Sequence, residues 1–201
     1  MSVQMLLKIA VCVIVPYLLG SVSVGILVGK RNGHDIRNEG SRNTGASNVL
    51  RSVGIRAAAV TFLGDFLKAA LAVLLGQALL SRDGGMLAGL FVIIGHNWPV
   101  FFSFRGGKGI ACSAAVLLMT FFWQGAAAAI LCLIVIWLTR YISVGSLTLV
   151  SVFTVLLFIT EGVWPCGVWA LALAVMAFIR HRANLVRLRQ GTENKITFHR
   201  R

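Results

Sequence analysis

Residues 111–139 read ACSAAVLLMTFFWQGAAAAILCLIVIWLT, a stretch of 29 positions without a charged side chain. A helix needs roughly 20 apolar residues to cross the hydrocarbon core of a bilayer, so this stretch indicates a membrane-embedded segment. Further apolar runs lie at about 5–28, 57–80, 86–104, 142–160 and 163–179. The pattern predicts an all-α integral membrane protein that forms one polytopic domain over residues 1–201.

The composition agrees with a membrane protein and narrows its partners. Of the 201 residues, 58% are hydrophobic and 12% are charged, whereas a soluble domain has about 45–50% apolar and about 25% charged residues. The net charge of +13 would suggest nucleic-acid binding in a soluble domain. In a chain committed to lipid, we expect membrane lipids and anionic substrates as partners, and no nucleic acid.

The distribution of basic residues predicts the orientation of the chain. Three segments, at about 30–56, 103–110 and 180–201, hold 15 of the 19 lysines and arginines. Cytoplasmic loops of membrane proteins carry an excess of Lys and Arg. We therefore expect the three segments to be cytoplasmic, with the N-terminus outside and the C-terminus in the cytoplasm.

Hydropathy leaves two possibilities for the number of crossings. The predicted orientation requires an even number of crossings between Lys108 and Arg180, but three apolar runs lie there. If residues 111–139 split near Gln124 and Gly125, the protein has about seven transmembrane helices. If this stretch is one helix and one later run does not span, the protein has five.

Two smaller features concern processing and metals. The first apolar run contains Lys8 and lacks a small-residue cleavage pattern, so it is expected to be a retained helix. The cysteines form no C-x-x-C pair and lie in or beside apolar runs, so we interpret them as buried apolar residues and expect no metal and no cofactor. They are Cys12, Cys112, Cys132 and Cys166.

The first cytoplasmic segment contains a glycine-rich loop, and residues 35–51 read DIRNEGSRNTGASNVLR. Gly40 and Gly45 permit positive φ, and the polar residues between them can direct several donors to one point. Such a backbone nest binds anions. The alternative is a flexible polar loop in which Ser and Asn only cap helices.

The second segment, residues 95–109, reads GHNWPVFFSFRGGKG. Three glycines around Lys108 would let the backbone approach a phosphate while Lys108 supplies a point charge. It is not a Walker A loop, because Phe102 and Gly109 occupy the positions of its first Gly and its Ser or Thr. His96 lies in an apolar stretch, where a packed, hydrogen-bonded histidine is as plausible as a site residue.

The third segment follows the last apolar run, and residues 180–192 read RHRANLVRLRQGT. His181 and Asn184 are one helical turn apart and can point at one ligand. The following residues have the pattern of a basic amphipathic helix that lies on anionic lipid. In the second apolar run, Asp65 and Lys68 are also one turn apart, and either line the site or form a buried structural pair.

Taken in order, these motifs resemble those of a known family. They are Gly40-Ser41-x-Asn43-x-Gly45-x-Ser47-Asn48-x-x-Arg51, Gly95-His96 through Phe101-x-x-Phe104-x-Gly106-Gly107-Lys108-Gly109, and Arg180-His181-x-x-Asn184. They resemble the three motifs of the bacterial acyl-phosphate:glycerol-3-phosphate acyltransferases, the PlsY family. The chain departs from the usual pattern at Arg42, where the family commonly has Gly, and at Ser47, where it commonly has Thr.

The resemblance implies a seven-helix fold and a reaction. A fatty acyl group would move from acyl phosphate to the 1-hydroxyl of glycerol 3-phosphate, giving lysophosphatidic acid and phosphate in the first step of phospholipid synthesis. The site would lie near the cytoplasmic face of a bacterial inner membrane, and an acyl-phosphate-producing enzyme would supply the donor. The alternative is a transporter of a phosphorylated small metabolite, although the polar motifs cluster at cytoplasmic ends and not at the midplane.

The expected site residues fall into two groups. The catalytic group comprises Lys108, His181 and Ser41. The substrate-binding group comprises Gly40, Asn43, Gly45, Ser47, Asn48, Arg51, His96, Gly106, Gly107 and Asn184. Whether His181 or the donor's own phosphate takes the hydroxyl proton is left open.

Overall fold

The computed structural model of the chain describes residues 2–196. Regular secondary structure in this range is helical throughout, as the sequence predicts. The chain divides into two compact units, Met1–Thr120 and Phe121–Arg201, which we call unit 1 and unit 2. Arg200 and Arg201 of the predicted basic tail lie outside the described residues.

The helices of each unit follow one another with short connections. Unit 1 contains α1 (Val3–Ser21), α2 (Val24–Arg31), α3 (Ala46–Ser52), α4 (Ile55–Asn97), a 3-10 turn (Val100–Phe102) and α5 (Ile110–Thr120). Unit 2 contains α6 (Phe122–Thr139), α7 (Ile142–Thr160), a π-helical turn (Val163–Gly167), α8 (Val168–Arg180) and α9 (Arg182–Arg189).

Five stretches of the described residues are long and apolar enough to cross a membrane, by length and composition. They are Val3–Arg31, Ile55–Phe102, Phe122–Thr139, Ile142–Thr160 and Val163–Arg180. Helix α5 is apolar too, but it has only 11 residues.

Helix α4 is a hairpin of two arms. Its backbone leaves helical geometry at Leu80 (φ −140°, ψ 27°) and Ser81 (φ 53°, ψ −143°). The arms, residues 55–79 and 82–97, then return along each other. They approach so closely that a Cβ at Gly76 would collide with the Gly84 carbonyl. The break therefore separates the two apolar runs that the sequence places at about 57–80 and 86–104.

The long apolar stretch 111–139 is also broken. Phe121 has φ −140° and ψ 79°, and it separates α5 from α6. The alternative of one continuous helix is therefore wrong. The expected position of the break was wrong as well: Gln124 lies inside α6, where its Nε2 donates to Thr160 Oγ1 of α7 at 3.0 Å. A partner on the neighbouring helix lets this polar residue remain helical.

In unit 1, α1 packs against the second arm of α4 through backbone contact. A Cβ at Gly20 would collide with Val92 O, and a Cβ at Gly95 would collide with Tyr17 O. Glycines at such crossings let two helices approach without intervening side chains. The Tyr17 hydroxyl then donates to Trp98 O at 3.1 Å, so the chain that leaves α4 is held at the end of α1.

In unit 2, aromatic and hydroxyl side chains join the helices. The rings of Phe121, Phe153 and Trp169 lie with centroids 6.1 to 6.2 Å apart. The Thr154 hydroxyl of α7 lies 3.2 Å from Ala170 O of α8. These contacts hold α7 against α8, the helix that leads into the third motif.

The cysteines are buried, as the sequence predicts. Cys12, Cys112, Cys132 and Cys166 are all free thiols inside the protein. Cys112 donates its Sγ hydrogen to Asp65 O at 3.3 Å, which ties α5 to the first arm of α4.

Candidate active site

The glycine-rich loop of the first motif connects α2 to α3 and is shaped by one side chain. Asn48 is completely buried. Its Oδ1 accepts from Ser41 N at 2.7 Å and from Ser41 Oγ at 3.1 Å. Its Nδ2 donates to Ile36 O at 2.9 Å and to Glu39 O at 3.1 Å. Both ends of the amide therefore fix the loop that carries Ser41.

Two positions in this loop have left-handed backbone conformations. Gly40 has φ +55°, and a Cβ there would collide with Asn48 Oδ1. Arg42 has φ 56°, where a residue other than Gly is strained by about 1–2 kcal/mol. This strain explains why glycine suits this position and makes Arg42 the unusual choice. Its exposed side chain adds a positive charge to the loop.

The structure places the other first-motif residues on or beside this loop. Asn43 Oδ1 accepts from Gly45 N at 3.0 Å, and Gly45 is the N-cap of α3. Ser47 is half-buried on α3, and Arg51 is exposed near its end. The Asn48 side chain is used to shape the loop. That Asn48 also contacts substrate stays a prediction.

The second motif is built around His96. Gly107 N donates to His96 O at 3.1 Å. A Cβ at Gly107 would collide with His96 Nε2, and a Cβ at Gly106 would collide with His96 O. The two buried glycines therefore wrap the histidine, and the half-buried Lys108 follows directly. The sequence suggests that these glycines make room for a phosphate; in the structure they make room for His96.

The first two motifs lie at the same end of unit 1. Ile26, Ile36 and Val49 form a buried hydrophobic cluster beneath the glycine-rich loop, and Phe102 of the second motif packs against it. Burial of this cluster fixes the second motif beside the first. The contact of Phe102 with this cluster thus joins the second motif to the first.

Asp65 and Lys68 form a buried ion pair with His96. Lys68 Nζ lies 2.8 Å from Asp65 Oδ1, and the two side chains are 6% and 2% exposed. His96 Nδ1 lies 3.1 Å from Lys68 Nζ. Of the two interpretations of this pair, the structure supports the buried structural one.

The same cluster has the side chains of a metal site but not its charge pattern. Asp65, His96 and Cys112 each bring one ligand atom within 4.8 Å of the others. However, the Lys68 ammonium already faces the oxygen and nitrogen ligands, and Cys112 is used on a carbonyl. A divalent ion would have to displace this internal cation. The donor set suits an ion pair, and the prediction of no metal stands as a prediction.

The third motif lies in unit 2, at the junction of α8 and α9. His181 is buried, and its Nδ1 lies 2.7 Å from Ala177 O. Because a carbonyl oxygen only accepts, Nδ1 carries the hydrogen in this contact, and Nε2 is the accepting nitrogen of the neutral ring. The ring is therefore held in the tautomer that a proton-accepting histidine needs.

Asn184 is held by an acid that the motif analysis missed. Asn184 Nδ2 donates to Glu193 Oε1 at 2.6 Å, Ser143 Oγ donates to the same oxygen at 3.0 Å, and Arg187 Nε donates to Glu193 Oε2 at 2.7 Å. The side chain of Glu193 is only 3% exposed. The available signal was a single acid among the basic residues of the C-terminal segment.

Glu193 remains ionised in this network. Burial alone would raise its pKa, but the hydrogen bonds from Asn184, Arg187 and Ser143 and the charge of Arg187 lower the pKa below the ordinary value of 4.5. Beyond it, Ile196 N donates to Arg140 O at 2.8 Å. The described part of the tail thus returns to the turn between α6 and α7.

Changing Glu193 to Gln is expected to destabilise the protein in a pH-dependent way. A carboxyl with a lowered folded-state pKa stabilises fully above its unfolded-state pKa, and this stabilisation is lost as pH falls through the folded-state value. We expect the variant to be about 1–3 kcal/mol less stable at about pH 7 and the difference to shrink below pH 4.5. Thermal unfolding of the parent and the variant in detergent, across this pH range, measures the difference in stability.

The exposed acid Asp83 supplies the control, since Asp83→Asn should leave the unfolding temperature close to that of the parent. A Glu193→Gln defect of constant size from neutral to acid pH would contradict the assignment.

The helices and the motif loops define a class of protein: a helical integral membrane protein whose basic, glycine-rich loops are built on buried polar side chains. A family model described as glycerol-3-phosphate acyltransferase matches residues 10–191. The chain therefore belongs to the glycerol-3-phosphate acyltransferase family, and the resemblance seen in its motifs is confirmed.

Individual relatives agree over nearly the whole chain. The glycerol-3-phosphate acyltransferase of Alkaliphilus metalliredigens (strain QYMF) is 42% identical over 185 residues, covering 92% of this chain and 94% of the relative. That of Thermoanaerobacter sp. (strain X514) is 44% identical over 184 residues, covering 91% and 93%.

Two crystal structures are similar as well. Both are of PlsY (YgiH), an integral membrane glycerol 3-phosphate acyltransferase. The glycerol 3-phosphate form has a TM-score of 0.90 at 32% identity, covering 94% of this chain and 96% of that chain. The lysophosphatidic acid form has a TM-score of 0.86 at 31% identity, covering 94% and 95%.

Proposed function

We propose that the protein transfers a fatty acyl group from acyl phosphate to the 1-hydroxyl of glycerol 3-phosphate, giving lysophosphatidic acid and inorganic phosphate. The observation that carries the proposal is the similarity, over 94% of the chain, to a PlsY structure in its glycerol 3-phosphate form. The reaction would make this protein an enzyme of phospholipid synthesis. Its partners would be the two substrates, membrane lipids and an enzyme that produces acyl phosphate.

The chemistry suits a site without a protein nucleophile. Acyl phosphate is a mixed anhydride, so phosphate leaves readily when the glycerol 3-phosphate hydroxyl oxygen attacks the carbonyl carbon. The new carbon–oxygen ester bond forms, the bond to phosphate breaks, and the hydroxyl proton passes to a base. Positioning of the two substrates and stabilisation of the developing negative charge can then supply much of the rate.

Positive charge in the first two motifs can offset the repulsion between the two substrates. Two phosphate-bearing substrates repel each other strongly where the dielectric constant is low. Lys108 supplies a cation in the second motif, Arg51 supplies one on α3 after the glycine-rich loop, and Arg42 adds another charge to that loop. We assign Lys108 and Arg51 to the substrate phosphates. The glycine-rich loop with Ser41, Asn43 and Gly45, together with Ser47 on α3, is assigned to one of these phosphates.

The donor specificity gives the direct test of the proposed reaction. Purified protein is offered labelled glycerol 3-phosphate with acyl phosphate, acyl-CoA or acyl carrier protein in separate reactions, and labelled lysophosphatidic acid is measured. We expect product with acyl phosphate. Product only with a thioester would contradict the proposed donor. In sealed vesicles, uptake of label without acylation would favour a transporter of a phosphorylated metabolite.

We assign the hydroxyl proton to His181 Nε2. The support is the contact of its Nδ1 with Ala177 O, which leaves Nε2 as the accepting nitrogen. The competing base is the phosphate of the acyl donor. Asn184, one turn away and held by Glu193, would orient glycerol 3-phosphate.

Changing His181 to Ala is expected to lower kcat at saturating substrates by about 10²–10⁴, the usual contribution of a general base. The exposed Arg189 on α9 provides a matched control: Arg189→Ala should keep kcat within about threefold, which is under 1 kcal/mol of barrier. Turnover by His181→Ala close to that of the parent would exclude the base role and leave the donor phosphate to take the proton.

We also propose seven crossings of a bacterial inner membrane, with the N-terminus outside, the C-terminus in the cytoplasm and the site near the cytoplasmic face. The break at Leu80 and Ser81 supports two crossings by α4. The break at Phe121 supports an even number between Lys108 and Arg180, formed by α5, α6, α7 and α8. Helix α5 spans about 16 Å at 1.5 Å per residue, less than the bilayer core of about 30 Å, so its flanking residues must contribute.

Labelling of added cysteines with a membrane-impermeant maleimide tests this topology. The native cysteines are buried, so their background reaction should be low. In intact cells we expect labelling of Asp83→Cys and Trp123→Cys from outside, and labelling of Asn38→Cys only after permeabilisation. Reaction of Trp123→Cys only after permeabilisation would contradict a crossing by α5.

A further inference from the structure

Unit 1 contains the buried ammonium of Lys68. It lies on the first arm of α4, 2.8 Å from the Asp65 carboxylate, with a side chain that is 6% exposed. Removing two charges from water is costly, and the attraction between them offsets this cost only with good geometry and further hydrogen bonds. Such a pair is weak evidence of stabilisation by itself. The other contacts of Lys68 indicate the role of the pair.

Besides Asp65, the ammonium has three polar contacts. Two of them are carbonyls at the end of α1: Gly20 O at 2.9 Å and Val22 O at 2.6 Å. Carbonyls in the last turn of a helix lack partners within the helix, and a cation there also interacts well with the helix dipole. Lys68 therefore caps α1 from the first arm of α4.

The third contact is His96 Nδ1, which lies 3.1 Å from Lys68 Nζ and 3.4 Å from Asp65 Oδ1. His96 Nδ1 thus faces both members of the ion pair, the ammonium and the carboxylate. Nε2 is the nitrogen that borders Gly107, and the His96 carbonyl accepts from Gly107 N at 3.1 Å. One histidine thus contacts Lys68 on one side of its ring and the Gly107 backbone on the other, next to Lys108.

We propose that Asp65 and Lys68 are positioning residues for the Lys108 loop, acting through His96, so that binding of the glycerol 3-phosphate phosphate depends on this buried pair. Asp65 holds the ammonium, the ammonium holds the end of α1 and the His96 ring, and His96 holds the backbone that precedes Lys108. Neither Asp65 nor Lys68 contacts substrate. This inference rests on the proposed function, which assigns Lys108 to a substrate phosphate, and it takes that phosphate to be the one on glycerol 3-phosphate.

The test is a double-mutant cycle between the pair and Lys108. The variant Asp65→Asn/Lys68→Met removes both charges together, which avoids leaving one buried charge unpaired. We expect its kcat/KM for glycerol 3-phosphate to fall by about 10–100-fold, mainly through a higher KM. In the Lys108→Ala background, the same double substitution should cost no more than about threefold, because positioning acts only through Lys108.

A purely structural role would behave differently. It would lower activity by the same factor whether Lys108 is present or not, and that outcome overturns the proposal, as does a kcat/KM within about threefold of the parent. Leu67 lies on the same helix with an exposed side chain, and Leu67→Met is the matched control, expected to leave kcat/KM unchanged.

A second variant and a binding measurement complete the test. If the double variant does not fold, Lys68→Arg retains the cation, but its planar guanidinium does not reproduce the three ammonium directions, and the same non-additivity with Lys108→Ala is expected. The dissociation constant for labelled glycerol 3-phosphate is measured on each variant without an acyl donor. If the parent binds glycerol 3-phosphate but forms no product from acyl phosphate, the proposed function fails, while the positioning role is still decided by the binding cycle.

Discussion

The contacts of one buried ammonium, that of Lys68, join the helices of unit 1. The Lys68 ammonium contacts Asp65 on its own helix, two carbonyls at the end of α1 and His96 Nδ1 on the second arm of α4. The two arms must therefore return along each other, and α1 must end beside them. The close glycine contacts between α1 and the second arm permit this approach. The same arrangement carries the chain from His96 to Lys108.

Glycine has two distinct uses in this protein, and the sequence reveals only that glycine is needed. At Gly20 and Gly95 it lets helix backbones meet, and at Gly106 and Gly107 it lets the loop enclose His96. The second use changes how the motif is understood. A substitution there would first displace the loop from its histidine, so a loss of substrate affinity would follow even if the glycine never touched a phosphate.

Features that depend on neighbouring residues could be predicted from the sequence, whereas features that depend on contacts between distant residues could not. Hydrophobic runs give the helical membrane class, because apolar length is a local property. The break near the middle of residues 111–139 was expected, but its position was not, since Gln124 finds its partner on another helix. Glu193 was missed for the same reason: its partners include Ser143, 50 positions away. Burial of Asn48 and its role in shaping the loop also required the fold.

The positions of the acidic residues help to explain the net charge of +13. Only six Asp and Glu stand against 19 Lys and Arg, and two of the six, Asp65 and Glu193, are buried against bases. Both acids contact motif residues: Asp65 lies beside Lys68 and His96, and Glu193 accepts from Asn184. Even if every acid matched one base, thirteen positive charges would still lack an acidic counterpart in the chain. Because most of the basic residues lie in the three motif segments, their counter-charges must be supplied by substrate phosphates, lipid headgroups or mobile ions.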